Sequence, residues 1–192
     1  MDEGGAEAFS LREAARAIGV SPGAAYRHFA DKADLLAAVV DADFAKLADD
    51  LTAARDAITG DREHAPQVQA AAIVLAFGRV YVRRAGTHPE RFHLASSSGR
   101  TTPGPGEQRV RDLTEDMRVQ LVETGAIHPR MFQDASWTIV PALYGLASLA
   151  ADGQLDDAHR DEGVHAVVHT VLRGLGVAEE ALAQMESLIP NT

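Results

Sequence analysis

SLREAARAIGVSPGAAYRHFADK, residues 10–32, decides how this chain is read. Ser10 is placed to cap a helix, and Glu13 three residues later completes a capping box. Leu11, Ala14, Ala15 and Ile18 then recur at helical spacing. Gly19 stops that helix, because glycine alone enters a left-handed turn without steric cost. Val20 fills the angle between two helices. Ser21 is a second N-cap, and Pro22 takes the first helical position, where its missing N–H costs nothing. A short helix runs from Gly23 to about Phe29. Two capped helices joined by a glycine turn are the pattern of a helix-turn-helix that reads DNA.

The side chains suit DNA as well as the shape does. Gly23, Ala24 and Ala25 give the second helix a small N-terminal face, which lets it sit deep in a major groove. Tyr26, Arg27, His28 and Lys32 supply a hydroxyl, two cations or potential cations, and a fixed cation for phosphates. With Ser10, Arg12 and Ser21, the residues Gly23, Ala24, Tyr26, Arg27, His28 and Lys32 form the candidate DNA-contacting set. The plainer alternative is a helical hairpin whose Tyr26 and Phe29 are core.

These residues carry a family resemblance. Ser10, Leu11, Arg12, Ala15, Gly19, Val20, Ser21, Gly23, Tyr26, His28, Phe29, Lys32 and Leu35 follow the motif of TetR-type (TetR/AcrR) bacterial transcriptional regulators, which the stretch resembles. The resemblance covers about the first 45 residues. It implies an all-α protein with an N-terminal DNA-binding headpiece and a C-terminal ligand-binding and dimerising domain. It further implies a repressor released from DNA by a ligand. It also implies a helix of about four turns before the motif, whereas only MDEGGAEAF precedes Ser10. The first headpiece helix is therefore expected to be missing here: either its coding sequence lies upstream, the favoured reading, or the chain lacks that helix.

Composition bounds the alternatives. The chain has 192 residues, 46% hydrophobic and 24% charged, which suits a globular protein of one or two small domains. Without cysteine there is no disulfide framework, thiolate zinc site or cysteine nucleophile. No apolar run is long enough for a membrane span, and no signal-peptide pattern opens the chain. The expected compartment is the cytoplasm. The net charge of −10 argues against coating nucleic acid without sequence preference. Within residues 10–32, however, Arg12, Arg16, Arg27 and Lys32 against Glu13 and Asp31 leave +2. The motif faces the duplex and the acidic body faces away.

The remainder reads as successive helices: Lys32–Ile58, Ala65 to about Ala85, a short one from Pro89, Glu107–Glu123, Met131–Ala151 and His159–Leu175. SSSGRTTPGPG, residues 96–106, reads as a loop. No β alternation occurs. The fold class is all-α: a helix-turn-helix domain at 1–45, incomplete at its N-terminus, and a helical regulatory and dimerisation domain at 46–192. Apolar residues surround the 131–151 helix, so it needs a core on one side and a partner chain on another. Val164, Val167, Val168, Val171, Leu172 and Leu175 form a narrow stripe at seam spacing. A homodimer through a four-helix interface, on a partly palindromic double-stranded DNA operator, is expected.

A cavity for a small, mostly apolar ligand is expected between the 65–85, 107–123 and 131–151 helices. Its candidate lining is Phe77, Tyr81, His88, Phe92, Met117, Leu121, Trp137 and Tyr144. His165 and His169 stand four apart, a spacing able to hold zinc, but they flank a valine stripe and read as interface residues; no metal and no cofactor is assigned. HExxH, GxSxG and a phosphate-cradling glycine loop are all lacking, so no catalytic residue is assigned. The rival reading is a helical dimer that binds a small molecule or protein without competent DNA binding.

Overall fold

The computed structural model describes residues 10–60, 63–97 and 102–189. The expected absence of a first headpiece helix concerns residues 1–9, which lie outside the described residues. The elements are α1 (Leu11–Ala17), α2 (Pro22–His28), α3 (Lys32–Ile58), α4 (Pro66–Thr87), α5 (Pro89–Ser97), α6 (Pro105–Glu123), α7 (Phe132–Ala151), α8 (Asp157–Gly174) and α9 (Glu179–Gln184). A 3-10 turn precedes α7 and another follows α9. The described residues contain no strand, and none of their helices is long and apolar enough to cross a membrane.

The body is built around α4. Alanine and valine dominate this helix, and Ala70 to Gly78 is buried without a break. Its small side chains let α3, α5, α6, α7, α8 and α9 all pack on it. Leu75, Leu121, Ile127 and Leu172 are completely buried in the resulting core. Each such side chain contributes about 1.5–3 kcal/mol relative to exposure. The stripe Val164, Val168 and Leu172 of α8 faces this core. Of the valines read from spacing as an intermolecular seam, Val164 and Val168 are covered by the chain's own core, while Val167 and Val171 are half-buried. The face of the molecule left open is instead on α7, where Trp137, Val140, Tyr144 and Leu149 are exposed. Pro141 is accommodated inside α7, which runs unbroken from Phe132 to Ala151.

The start of α6 departs from the loop read for residues 96–106. Pro105 and Gly106 are already helical, and Gly106 is buried against α3. Asp41 Oδ1 on α3 accepts the N–H groups of Gly106 (2.9 Å) and Glu107 (3.3 Å). It thereby caps a helix whose own N-cap, Gly104, has no side chain to do so. A Cβ on Gly106 would overlap the Asp41 carbonyl oxygen and crowd the backbone of Ala45. The glycine marks a backbone-to-backbone approach rather than a flexible connection.

α3 joins two apolar clusters. Near its start Leu35 packs with Leu11, Ala15, Ala25 and Phe29 of the headpiece, while Leu47, Leu51 and Ile58 belong to the body core.

Candidate functional site

The tip at residues 10–32 is assembled almost entirely by local hydrogen bonds. Ser10 Oγ accepts the Glu13 N–H (3.3 Å), and Glu13 Oε2 accepts the Ser10 N–H (2.7 Å). That reciprocal box holds the Glu13 carboxyl below its ordinary value, chiefly through the Ser10 N–H. Gly19 turns the chain at φ +75°, a left-handed value that a residue with a Cβ rarely adopts. Its neighbour Val20 closes the helix end by donating to the Ala15 carbonyl at 2.9 Å. Ser21 Oγ then caps α2 by accepting the Ala24 N–H at 3.2 Å. At the α2–α3 joint, Asp31 Oδ1 accepts the Asp34 N–H (2.8 Å), while Asp34 Oδ2 accepts the Ala30 N–H (3.0 Å).

These bonds leave a polar, exposed face. Ser10, Arg12, Ser21, Gly23, Tyr26, Arg27 and His28 are exposed, and Ala24 and Lys32 are half-buried. An added Cβ on Gly23 would meet nothing, so the N-terminal face of α2 is open. Ala25 and Phe29 turn the other way and tie α2 to the small cluster. Ile18 and Val20, read as apolar positions of the motif, stand 75% and 41% exposed. They follow the end of α1, off the face on which Leu11 and Ala15 are buried.

Among the described residues the body holds three cavities beside α3. The largest, about 590 Å³ between α3, α4 and α8, is lined by small and charged side chains such as Ala53, Arg79 and Asp161. The other two neighbour each other and hold expected aromatic residues. The inner one, of about 200 Å³, lies between α3, α4, α6 and α7; Phe77, Tyr81 and Met117 line it with Phe44, Leu51, Ile139 and Leu143. The outer one, of about 170 Å³, lies between α3, α4, α5 and α7; Tyr81, His88, Phe92 and Tyr144 line it with Asp43, Arg84 and Ser96. Phe44, Leu47 and Tyr81 border both. Phe92 touches Tyr81 and Tyr144 ring to ring, with centroids 6.2 and 5.5 Å apart. Burial, reinforced by Tyr144, drives the Tyr81 hydroxyl far above its ordinary value, so it stays protonated.

Two of the expected lining residues are placed elsewhere. Leu121 is packed in the core and borders neither cavity, and Trp137 is 73% exposed on the outside of α7. Sequence reasoning missed the α3 wall. Its signal was present, since Phe44, Leu47 and Leu51 recur at helical spacing opposite the aromatic residues of α4. The Asp43–Arg84 pair (2.7 Å) had no local signal at all. The His165 and His169 rings sit 5.7 Å apart, and the nearest carboxylate atom recorded, Glu186 Oε2, is 3.7 Å from His165 Nε2. No group of three or more His, Cys, Asp or Glu residues suited to a metal occurs among the described residues.

Residues 1–39 match the family model of bacterial regulatory proteins, tetR family. Over most of its length the chain is also similar to a solved structure, described as a protein with unknown function from Rhodococcus sp. RHA1. The two are 32% identical with a TM-score of 0.67, over 88% of this chain and 86% of that one. No curated protein matches the chain.

Proposed function

Because this chain belongs to the tetR family of bacterial regulatory proteins, DNA-binding regulators of transcription, we propose that it is a sequence-specific repressor in the cytoplasm that a small, mostly apolar ligand releases from its operator. The observation that carries this reading is the path of α3. One helix starts at the DNA-facing tip with Lys32 and supplies Phe44, Leu47 and Leu51 to the cavities. A ligand that wedges those residues acts on the element that positions the tip.

In this reading α2 enters the major groove with Gly23 and Ala24 against the base edges. Tyr26 and Lys32 hold phosphates, Arg27 reaches a base or adjacent phosphate, and Ser10, Arg12, Ser21 and His28 complete the footprint. Two copies associate through the open α7 face around Trp137, Val140 and Tyr144. Their α2 helices then meet major grooves about 34–36 Å apart on a partly palindromic operator. The ligand acts by preferring the DNA-incompetent state, since equal affinity for both states shifts nothing. The work is done by binding, and no bond is made or broken.

A gel-shift with DNA flanking the protein's own gene tests the reading. The expected result is sequence-specific retardation that Lys32→Ala weakens on all sequences, with a salt slope shallower by about one. Full-length folded protein that retards no such DNA would overturn it. Light scattering is expected to give a dimer mass, and Trp137→Glu, a change on an exposed residue, is expected to yield monomer.

A further inference from the structure

From the charge balance around the two cavities we infer that the ligand is a neutral amphiphile: a single ring or short branched apolar body in the inner cavity, with a hydrogen-bonding, uncharged head in the outer one. The inference rests on the ligand-binding reading above and specifies its chemistry.

Size sets the body. An apolar cavity of about 150 Å³ lined by Leu, Ile and Phe takes up benzene. The inner cavity, about 200 Å³ and walled by residues such as Phe77, Ile139 and Leu143, has room for a ring with one small substituent. The outer cavity is of similar size, about 170 Å³, and shares Phe44, Leu47 and Tyr81 with the inner one.

Charge sets the head. Every charged side chain bordering either cavity already has an opposite partner. Asp43 accepts from Arg84 at 2.7 Å and from Arg91 at 3.3 Å, and Arg84 also holds Asp50 at 3.0 Å. That group of two arginines and two aspartates is neutral. Arg111 on the rim of the inner cavity is held by Glu107 at 2.7 Å. An anionic ligand would have to strip Arg84 from its carboxylates, and a cationic one would meet the Arg84 guanidinium. Either would be desolvated without a spare counter-charge, which is strongly unfavourable.

Hydrogen bonding sets the anchor. Tyr81 and Tyr144 bring two phenol groups to the outer cavity, with His88 beside them. Among the described residues no hydrogen bond engages either phenol or the His88 ring. Solvent reaches these groups, whereas Arg84 Nε is buried without a hydrogen-bond partner among the described residues. An O–H or carbonyl head replaces that water, and a neutral one does so without disturbing the Asp43–Arg84 pair.

The test is isothermal titration of the full-length protein, without DNA, against four probes of one shape: 4-ethylphenol, ethylbenzene, 4-ethylbenzoate and 4-ethylbenzylammonium. The expected order puts 4-ethylphenol about five- to tenfold tighter than ethylbenzene, the worth of one buried hydrogen bond. Both ions are expected at least about a hundredfold weaker than the phenol. Tyr81→Phe and Tyr144→Phe combined should erase the advantage of the phenol over ethylbenzene, with circular dichroism showing that the variant is folded. Binding of either ion as tightly as the phenol overturns the inference. So does failure of both neutral probes to bind, or a phenol preference that survives both substitutions together. Because the titration contains no DNA, a probe that binds as expected yet leaves the gel-shift unchanged counts against ligand release alone.

Discussion

The headpiece and the body of this protein are held together by different means. Among the described residues of the helix-turn-helix, Leu11, Ala15 and Ala25 are buried, with Phe29 and Leu35 packed at the margin. Its shape depends on Ser10, Ser21, Asp31 and Asp34, whose side chains satisfy backbone N–H groups at helix starts. In the body α4 is enclosed by six other helices, and side chains such as Leu75 and Leu172 have no exposure. Caps are worth about 1 kcal/mol each and large buried side chains several times that on truncation. The contrast teaches that the described helix-turn-helix is defined by local bonds, so it can loosen while the body stays folded.

The strongest way to break the body alone is Leu75→Ala. The side chain is fully buried in α4, and the cavity left behind is expected to cost about 2–5 kcal/mol. Chemical denaturation followed by circular dichroism would show it as a lower midpoint with an unchanged slope.

Gly106→Ala attacks the joint between α6 and the connecting helix. The new methyl would meet backbone of Asp41 and Ala45, which has no rotamer to escape into. The expected cost is about 1–3 kcal/mol, with faster hydrogen exchange across the first turn of α6. An unchanged exchange pattern would mean that the helices separate there without penalty.

Ser21→Ala sharpens the contrast from the other side. Loss of the bond to the Ala24 N–H is expected to cost about 1 kcal/mol within α2. Amide exchange in residues 22–28 should accelerate while the unfolding midpoint of the body holds still. If the midpoint falls with it, the two regions unfold as one unit.

The smallest expected effect is on pH. Glu13 is held below its ordinary value of 4.5 by the capping box. Its folded value is the depressed one, so its stabilisation is complete above the ordinary value and is lost as pH falls through the folded value. Protection of the amides at the start of α1, taken relative to their intrinsic exchange at each pH, should therefore fall as the pH drops below the ordinary value, and Glu13→Gln should flatten the response.

How far these regions could be read from sequence follows the same division. The caps are local, so Ser10, Glu13, Ser21 and Gly19 announce the headpiece from their spacing. Lys32 and Ile58 mark both ends of α3 because a continuous apolar stripe runs between Asp31 and Gly60. α9 escaped, since six residues are too few to display a period. Gly106 stands in a run of prolines and glycines, and the α3 backbone that demands a glycine there is some 60 residues away in sequence, as the 65-residue span of its bond to Asp41 shows. For α7, apolar on every side, sequence could not say which face meets the cavity. Ile139 and Leu143 took the inside, and Trp137 was left out. Tyr81, His88, Phe92 and Tyr144 were legible as a group because aromatic residues are scarce in this chain. Asp43, which closes the same cavity with Arg84, lies 41 residues from it and gives no local sign.

The crossing at Gly106 has a mechanical consequence. At 1.5 Å per residue, the stretch from Lys32 to Asp41 measures about 14 Å, and that from Asp41 to Leu51 about 15 Å. A stiff rod gripped at Asp41 by the start of α6 is a lever with its fulcrum between nearly equal arms. A tilt that moves Leu51 by a given distance moves Lys32 by about the same distance in the opposite direction. Such a lever gives no amplification. It reverses the motion: under the proposed ligand release, a push outward on Leu51 would arrive at Lys32 as a pull inward.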